Sequence, residues 1–183
     1  MPFRVLRRFP VSKRPKSLSV VLLMGAATAI WFGYAPEKAG VSASQTLNCE
    51  VSHVHDGDTL RAECPGQKKS TRVRIRQIDA PEMNQKYGIA SRDYLRQICR
   101  KGDPVLIKVH SKDKYDRLLA DIQCNGQEVG FSMINAGAAW VYEQYVEDRA
   151  LVETQRQARE ARRGLWQEHN PVPPWQFRRD QRQ

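Results

Sequence analysis

The segment VRIRQIDAPE, Val73–Glu82, decides how this chain folds and carries much of its chemistry. Side chains alternate along a β-strand, so Val73 and Ile75 share one face, which we expect to be buried. The opposite face holds Arg72, Arg74 and Arg76. Three arginines on one face indicate either a charged surface exposed to solvent or a surface that binds an anion.

Acidic residues follow this strand directly. Pro81 restrains Ala80 to an extended conformation, so Asp79 and Glu82 flank a bend at which the Ala80 carbonyl is presented. A further carboxylate, Asp58, lies upstream in the segment DGDTL. Calcium takes roughly six to eight oxygen ligands, so two carboxylates and a carbonyl would leave positions for water and a substrate phosphate. Together Asp58, Asp79 and the Ala80 carbonyl suit a site for a hard cation such as calcium.

Turn signals divide the rest of the chain into short strands and helices. Asp-Gly and Pro-Gly pairs mark turns near residues 56 and 65, and apolar residues four apart predict a helix over Ile89–Cys99. The expected strands are Thr46–His53, Thr59–Glu63, Ser70–Ile78, Asp103–Val109 and Leu118–Asp121, and two more helices are expected at Val129–Ala136 and after Asp148. Residues 44–166 are therefore expected to form an α+β domain, a five-stranded OB-fold barrel with about three packed helices. The Pro-rich and basic tail, residues 167–183, is expected to be extended.

The first 43 residues have the layout of an export signal. Basic residues precede an uncharged run, Ser17–Pro36, and small residues at Val41 and Ala43 would suit a signal-peptidase site. The uncharged run is also long enough to span a bilayer, so residues 1–43 are either a cleaved signal peptide or a retained membrane anchor. Either one places the folded domain outside the cytoplasm.

The charge of the chain is informative only after the leader is set aside. A formal net charge of +10 suggests an anionic partner such as nucleic acid. Residues 1–43 hold seven of the 30 Lys and Arg residues and one of the 20 Asp and Glu residues, so the remaining chain carries only +4. The prediction of a nucleic-acid substrate therefore depends on the site residues more than on net charge.

Four cysteines support export. An even number in an exported domain favours disulfides, with four buried thiols as the alternative. If Asp56-Gly57 is a two-residue hairpin turn, facing residues have numbers that sum to 113, which places Cys49 opposite Cys64. We therefore predict that Cys49 pairs with Cys64 and that Cys99 pairs with Cys124.

Three motifs, in order, resemble the staphylococcal nuclease (thermonuclease) family. They are DGDT from Asp56, R-x-x-x-x-D-x-P-E from Arg74 to Glu82, and K-Y-x-R from Lys114 to Arg117. The resemblance runs from about Thr46 to Trp166, and three ordered motifs are more specific than any one of them. It implies a secreted, calcium-dependent enzyme with an OB-fold that hydrolyses DNA and RNA and leaves 3′-phosphates.

The resemblance also implies catalytic roles. Asp58, Asp79 and the Ala80 carbonyl correspond to the calcium ligands, while Arg74, Arg117 and Glu82 correspond to the catalytic residues. Attack on a phosphodiester builds negative charge on the phosphate oxygens, which guanidinium groups stabilise with bidentate hydrogen bonds. Glu82 would orient or deprotonate the attacking water. Only four residues separate Glu82 from Tyr87, fewer than in the family's type member, which bears on the placement of Glu82.

Four further residues are candidates for substrate binding. By resemblance, Lys114 and Tyr115 would hold the terminal phosphate of the bound nucleotide. Tyr142 and Tyr145 would either stack on a base or pack within the barrel.

Two functions of other classes remain alternatives. One is a non-catalytic nucleic-acid-binding module with the same fold, and the other is a membrane-tethered protein whose barrel recognises another polymer. The presence of all the catalytic and acidic positions together favours an enzyme. We expect a monomer that acts on DNA and RNA and contacts a membrane only through an uncleaved leader.

Overall fold

The structure, a computed structural model, describes residues 45–183 and begins with an antiparallel meander. The strands are β1 Thr46–Val54, β2 Thr59–Glu63, β3 Thr71–Ile75, β4 Ile78–Asp79, β5 Pro104–Lys112, β6 Leu118–Cys124, β7 Gln127–Glu128 and β8 Trp140–Val141. The helices are α1 Gly88–Ile98, α2 Val129–Asn135, α3 Arg149–Glu160 and α4 Pro174–Asp180, with 3₁₀ turns at Glu143–Tyr145 and Gly164–Gln167. Val73 and Ile75 are the buried positions of β3, as the alternation predicts.

The leader falls outside this part of the chain. The predicted signal peptide or anchor lies in residues that the structure does not describe. Within residues 45–183, no helix combines the length and the apolar character that crossing a bilayer requires.

Parallel pairing between β3 and β6 closes the sheet. β1 pairs antiparallel with β2 and β5, and β5 pairs antiparallel with β6. Across the β3–β6 pair, Val73 lies opposite Leu118 and Ile75 lies opposite Ala120. The result is a closed five-stranded barrel of mixed direction, with four helices among the described residues. The predicted α+β fold of the OB type is confirmed.

The third predicted strand, Ser70–Ile78, is not continuous. Gln77 has a positive φ of 63°, which ends the extended strand. Its side-chain oxygen accepts hydrogen bonds from the backbone N–H groups of Glu147 and Asp148, at 2.7 and 3.0 Å, and these hold the kink. Beyond the kink, β4 leaves the barrel sheet and pairs with β8, so Asp79 lies outside the barrel strands.

Helices α1, α2 and α3 pack on the barrel through one core. Leu95 of α1, Met133 of α2 and Leu151 of α3 are buried in the same cluster as the inward-facing barrel residues. Burial of each such side chain contributes about 1.5–3 kcal/mol. Asp148 caps α3, as predicted, by accepting a hydrogen bond from the backbone N–H of Ala150 at 2.8 Å.

Two disulfides link the barrel to itself and to α1. They join Cys49 to Cys64 and Cys99 to Cys124, which is the predicted pairing. The first connects β1 to the residue that follows β2, and the second connects the end of α1 to β6. Because both pairs are formed, the alternative of four buried thiols does not hold.

The register between β1 and β2 differs from the premise of that prediction. Four residues join the two strands, and Val54 faces Leu60, one position away from the predicted register. An irregularity between Val51 and His53 then restores it, so that Val51 faces Ala62. A bulge in β1 therefore compensates for a connecting loop that is longer than a two-residue turn.

The C-terminal tail is helical in part, and the prediction of an extended segment over residues 167–183 is wrong there. α4 begins at Pro174, whose fixed φ suits the first turn of a helix. The ring of Trp175 stacks on Tyr142, with centroids 5.6 Å apart and planes 6° apart, and meets Trp140 edge-on at 5.7 Å. A seven-residue helix is marginal alone, so these aromatic contacts account for its order.

Candidate active site

Arg74 of β3 holds two carboxylates together. Its Nε lies 3.1 Å from Asp58 Oδ1, and its Nη2 lies 2.9 Å from Asp79 Oδ1. Its Nη1 donates to the carbonyls of Ile75 and Ile78, at 2.6 and 2.8 Å. Most donors of Arg74 are therefore used within the protein, and the residue brings the two predicted metal ligands to one guanidinium.

Asp58 connects the β1–β2 loop to the residue after β4. Its Oδ2 accepts a hydrogen bond from the backbone N–H of Ala80 at 2.7 Å. The approach is close because the loop carries Gly57, where a Cβ would lie 1.9 Å from Ser91 Oγ and 2.7 Å from Ala80 Cβ. Asp58 and Ala80 are therefore neighbours, as the predicted calcium site requires.

A third carboxylate, Asp56, belongs to the same group, which we call the carboxylate cluster (Asp56, Asp58 and Asp79). Asp56 Oδ1 accepts a hydrogen bond from the backbone N–H of Asp58 at 3.0 Å. Burial raises the pKa of Asp56 to about 7, and repulsion from Asp58 adds to the shift. Burial also raises the pKa of Asp79, against the opposing effect of a hydrogen bond from Arg178. The environment therefore disfavours negative charge on two of the three carboxylates.

The carboxylate oxygens of the carboxylate cluster are ligands that suit a hard cation. Each carboxylate oxygen can accept two hydrogen bonds, and within residues 45–183 Asp58 Oδ2 and Asp79 Oδ2 accept one each. A divalent cation would offset both the burial and the repulsion of the carboxylates. The described residues contain no group of three or more His, Cys, Asp or Glu side chains arranged to hold a metal by themselves. Calcium bound here would therefore complete its coordination with water and substrate oxygens.

Glu82 lies beside the carboxylate cluster and is paired with an arginine of the C-terminal helix. Arg178 Nη1 lies 2.7 Å from Glu82 Oε1, and Arg178 Nη2 lies 2.8 Å from Asp79 Oδ2. The Glu82 side chain is 39% exposed, whereas that of Asp79 is 2% exposed. Solvent therefore reaches the carboxylate of Glu82 more readily than that of Asp79.

The turn between β5 and β6 carries the K-Y-x-R motif. Arg117 Nε lies 2.8 Å from Asp113 Oδ2, and its guanidinium lies 5.5 Å from the ring centre of Tyr115. Within residues 45–183, the two terminal nitrogens of Arg117 have no hydrogen-bond partner. Tyr115 is 59% exposed, and Lys114 Nζ lies 5.1 Å from its ring. This turn therefore presents cationic donors that an anion can contact.

The two candidate tyrosines differ in their surroundings. One face of Tyr142 is covered by Trp175, so packing accounts for its position. Tyr145 meets Tyr142 edge-on at 4.7 Å and is 56% exposed. Stacking on a base stays a prediction, and Tyr145 has the exposed ring that it needs.

One open cleft of about 1240 Å³ joins all these groups. Every predicted catalytic, metal-binding and substrate-binding residue lines it: Asp58, Arg74, Asp79, Ala80, Glu82, Lys114, Tyr115, Arg117, Tyr142 and Tyr145. The carboxylate cluster and the K-Y-x-R turn are thus parts of one site.

Two charged residues that contact the predicted metal ligands, Asp56 and Arg178, are not identified by the sequence motifs. An Asp-Gly turn alone explains Asp56 in the sequence, although it precedes a predicted metal ligand by two positions. Arg178 lay in the tail that was expected to be extended. Pro174, placed where a helix begins, and the three-residue spacing from Trp175 to Arg178 were the available signals.

Comparison with known proteins identifies the family. Residues 72–168, just over half of the chain, match the family model described as "Staphylococcal nuclease homologue". The chain belongs to the staphylococcal nuclease family. As a member it is a nuclease, a hydrolase that acts on ester bonds, and the resemblance that its three motifs indicate is confirmed.

Curated relatives agree with this assignment. A protein of Escherichia coli O157:H7 named "Uncharacterized endonuclease" is 42% identical over 133 residues, 72% of this nuclease and 85% of that protein. A protein of Haemophilus influenzae with the same name is 36% identical over 134 residues, 73% of this nuclease and 74% of that protein. "Staphylococcal-like nuclease CAN1" of Arabidopsis thaliana is 36% identical over 114 residues, 62% of this nuclease and 35% of that protein.

Proposed function

We propose that this nuclease is a calcium-dependent endonuclease that hydrolyses phosphodiester bonds of DNA and RNA and leaves 3′-phosphates. The observation that carries the proposal is the cleft in which the carboxylate cluster, Glu82 and the K-Y-x-R turn meet. Two relatives that are named endonucleases support cleavage within a strand.

The carboxylate cluster provides the place for the cation. Asp58, Asp79 and the Ala80 carbonyl would hold calcium, which supplies positive charge to the phosphate oxygens when it is bound. Arg74 keeps the carboxylates of Asp58 and Asp79 together and retains one N–H on Nη2 for a phosphate oxygen.

The K-Y-x-R turn provides contacts to phosphate from elsewhere in the same cleft. Arg117 offers two terminal nitrogens that suit a bidentate contact with the phosphate, where negative charge develops in the transition state. Lys114 and Tyr115 would hold the terminal phosphate of the nucleotide. Glu82, the exposed carboxylate, orients or deprotonates the attacking water.

A cleavage assay tests the proposal. The purified protein is incubated with covalently closed plasmid DNA and with RNA, in calcium and in excess chelator. We expect both substrates to be cleaved in calcium alone, and end-group chemistry should detect 3′-phosphates. Binding of DNA without cleavage in calcium would instead favour the non-catalytic nucleic-acid-binding module.

The Glu82→Gln variant tests the role of the glutamate. We expect kcat to fall by about 100-fold or more, because the amide cannot accept a proton from water. Glu63→Gln is the matched control, since Glu63 is exposed at the end of β2 and does not line the cleft. Full activity in Glu82→Gln would assign the base to another residue.

We also propose that the protein is exported. Two disulfides among residues 45–183 support an oxidising compartment. Fractionation of cells that make the full chain, with mass spectrometry of its N-terminus, tests the location and distinguishes a cleaved leader from an anchor. Recovery of the intact chain in the cytoplasm would overturn this proposal.

A further inference from the structure

Arg178 of α4 bridges two acidic residues of the cleft. Besides the contacts of Nη1 with Glu82 and of Nη2 with Asp79 Oδ2, Nη1 lies 3.3 Å from Asp79 Oδ1. One planar guanidinium therefore spans both carboxylates, a geometry that a lysine ammonium does not reproduce. Within residues 45–183, no other side chain donates a hydrogen bond to the Glu82 carboxylate.

The segment Pro81–Tyr87, here called the glutamate loop, is held from the C-terminal side. The backbone N–H of Gln85 donates to the Glu82 carbonyl at 2.8 Å, and Gln85 Oε1 accepts from the Glu82 N–H at 3.1 Å. Gln85 Nε2 donates to the Val172 carbonyl at 2.7 Å. The segment around α4 thus makes two contacts with the loop. Its Val172 carbonyl binds the Gln85 side chain, which in turn binds the loop backbone, and its Arg178 binds the Glu82 carboxylate.

α4 has an anchor that does not involve these polar contacts. Trp175 stacks on Tyr142 and lies three residues before Arg178, so both side chains project from one face of the helix. The aromatic contact sets the position of α4, and Arg178 extends from that position to Glu82.

We propose that Arg178 is a positioning residue for the nuclease reaction, which fixes the Glu82 carboxylate beside Asp79, and with it the glutamate loop, so that Glu82 faces the attacking water. The inference rests on the proposed function, in which Glu82 acts on that water. Without Arg178, the Glu82 carboxylate has no side-chain partner. It is then repelled by the neighbouring carboxylate of Asp79.

Kinetics of three variants test the role. We expect Arg178→Ala to lower kcat by about 10- to 100-fold, as is typical when the partner of a catalytic side chain is removed, with KM changed by less than about threefold. Arg178→Lys keeps the charge but not the fork, so its kcat should stay well below that of the native protein. Arg179→Ala is the matched control, because Arg179 lies on the same helix and pairs only with Gln176 among the described residues.

Hydrogen exchange gives a readout that does not need catalysis. The amides of Gln85 and Gly88 close the turns of the glutamate loop, donating to the carbonyls of Glu82 and Gln85. In Arg178→Ala these amides should exchange about tenfold faster or more, while the Ile75 amide within the barrel should be unchanged. Arg179→Ala should match the native protein at all three positions.

Three outcomes would overturn the proposal. A higher rate in Arg178→Ala, or a lower calcium concentration for half-maximal rate, would mean that Arg178 blocks the site. A raised KM with kcat unchanged would mean that Arg178 contacts the nucleic-acid backbone instead. Unchanged exchange of the loop amides would mean that Arg178 does not hold the glutamate loop.

Failure of the proposed function gives a different result. Absence of cleavage by the native protein would reject that function, and the exchange data would still report on whether Arg178 holds the loop.

Discussion

At the scale of single residues, Arg74 has a role before any substrate is bound. The side chains of Asp58 and Asp79 are 9% and 2% exposed, and a buried carboxylate is costly without a counter-charge. Arg74 supplies that charge to both of them. Loss of activity on changing Arg74 would therefore combine lost stability with loss of the phosphate contact proposed for its Nη2.

Unfolding of the Arg74→Ala variant measures the stability contribution by itself. We expect the free energy of unfolding at neutral pH to fall by about 3–5 kcal/mol, because two buried carboxylates lose their shared partner. Denaturant titration measures the change, and Arg72→Ala is the control because Arg72 is exposed on the same strand. If both variants unfolded at the same denaturant concentration as the native protein, Arg74 would not be the counter-charge inferred here.

The sequence predicts site residues where their partners are close along the chain. Asp58, Asp79 and Glu82 lie in short motifs, and the order of those motifs along the chain predicts them as site residues. Arg178 meets Glu82 across 96 positions and Asp79 across 99, and no local pattern reports a contact at such a distance. Asp56 is not predicted as a site residue for another reason, because a turn alone explains the Asp56-Gly57 pair.

At the scale of elements, the β5–β6 turn is organised by one carboxylate. Asp113 Oδ1 accepts hydrogen bonds from the backbone N–H groups of Tyr115 and Arg117, at 2.9 and 3.0 Å, while Oδ2 pairs with Arg117 Nε. Burial raises the pKa of Asp113, but the hydrogen bonds from Arg117 and Tyr115 outweigh it, and the net shift is downward. The turn that presents Arg117 therefore depends on the ionised form of Asp113.

Stability of Asp113→Asn should depend on pH. A pKa lowered by folding stabilises the protein above the pKa of the unfolded chain, about 3.9, and that stability is lost as pH falls through the lower folded value. We expect Asp113→Asn to cost about 1–2 kcal/mol at pH 7 and the difference to shrink below about pH 4. Denaturant titrations at both pH values check this, with the exposed Asp116→Asn as control. A cost that did not change with pH would contradict it.

The break after β3 shows what the sequence pattern of a strand does not contain. Ser70–Ile78 has the composition of one strand, and nothing in it marks Gln77 as the kink. The positive φ of Gln77 is supported by hydrogen bonds from residues 70 and 71 positions later in the chain, Glu147 and Asp148. Tertiary contacts of this kind override local propensity.

At the scale of the whole molecule, the disulfides should contribute a large part of the stability. Cys99 and Cys124 are 25 positions apart, and a cross-link of this span typically adds about 3 kcal/mol by restricting the unfolded chain. Changing both to Ala should therefore lower the free energy of unfolding by about that amount, as measured by denaturant titration. The change should be small when both proteins are compared in strong reductant. An equal loss in reductant would point to lost packing instead of a lost cross-link.

The barrel as a whole was predictable only in part. The number of barrel strands follows from turn signals and alternation, and the OB type follows with help from the family resemblance. Closure through the parallel β3–β6 pair has no local signal, because it joins strands about 45 positions apart. The Cys49–Cys64 pairing is predicted correctly although the assumed two-residue turn is shorter than the real loop. The bulge in β1 shifts the register back by one residue, which restores the predicted pairing.

The contact between Arg178 and Glu82 also has a consequence for the order of events during synthesis. A ribosome adds about 5–20 residues per second, so the 96 positions between the two residues take about 5–20 s to translate. For that interval the nascent chain holds Glu82 without its partner. A growing chain would thus be a poor nuclease close to the messenger that encodes it, and would acquire full activity only after the helix that carries Arg178 has emerged and docked.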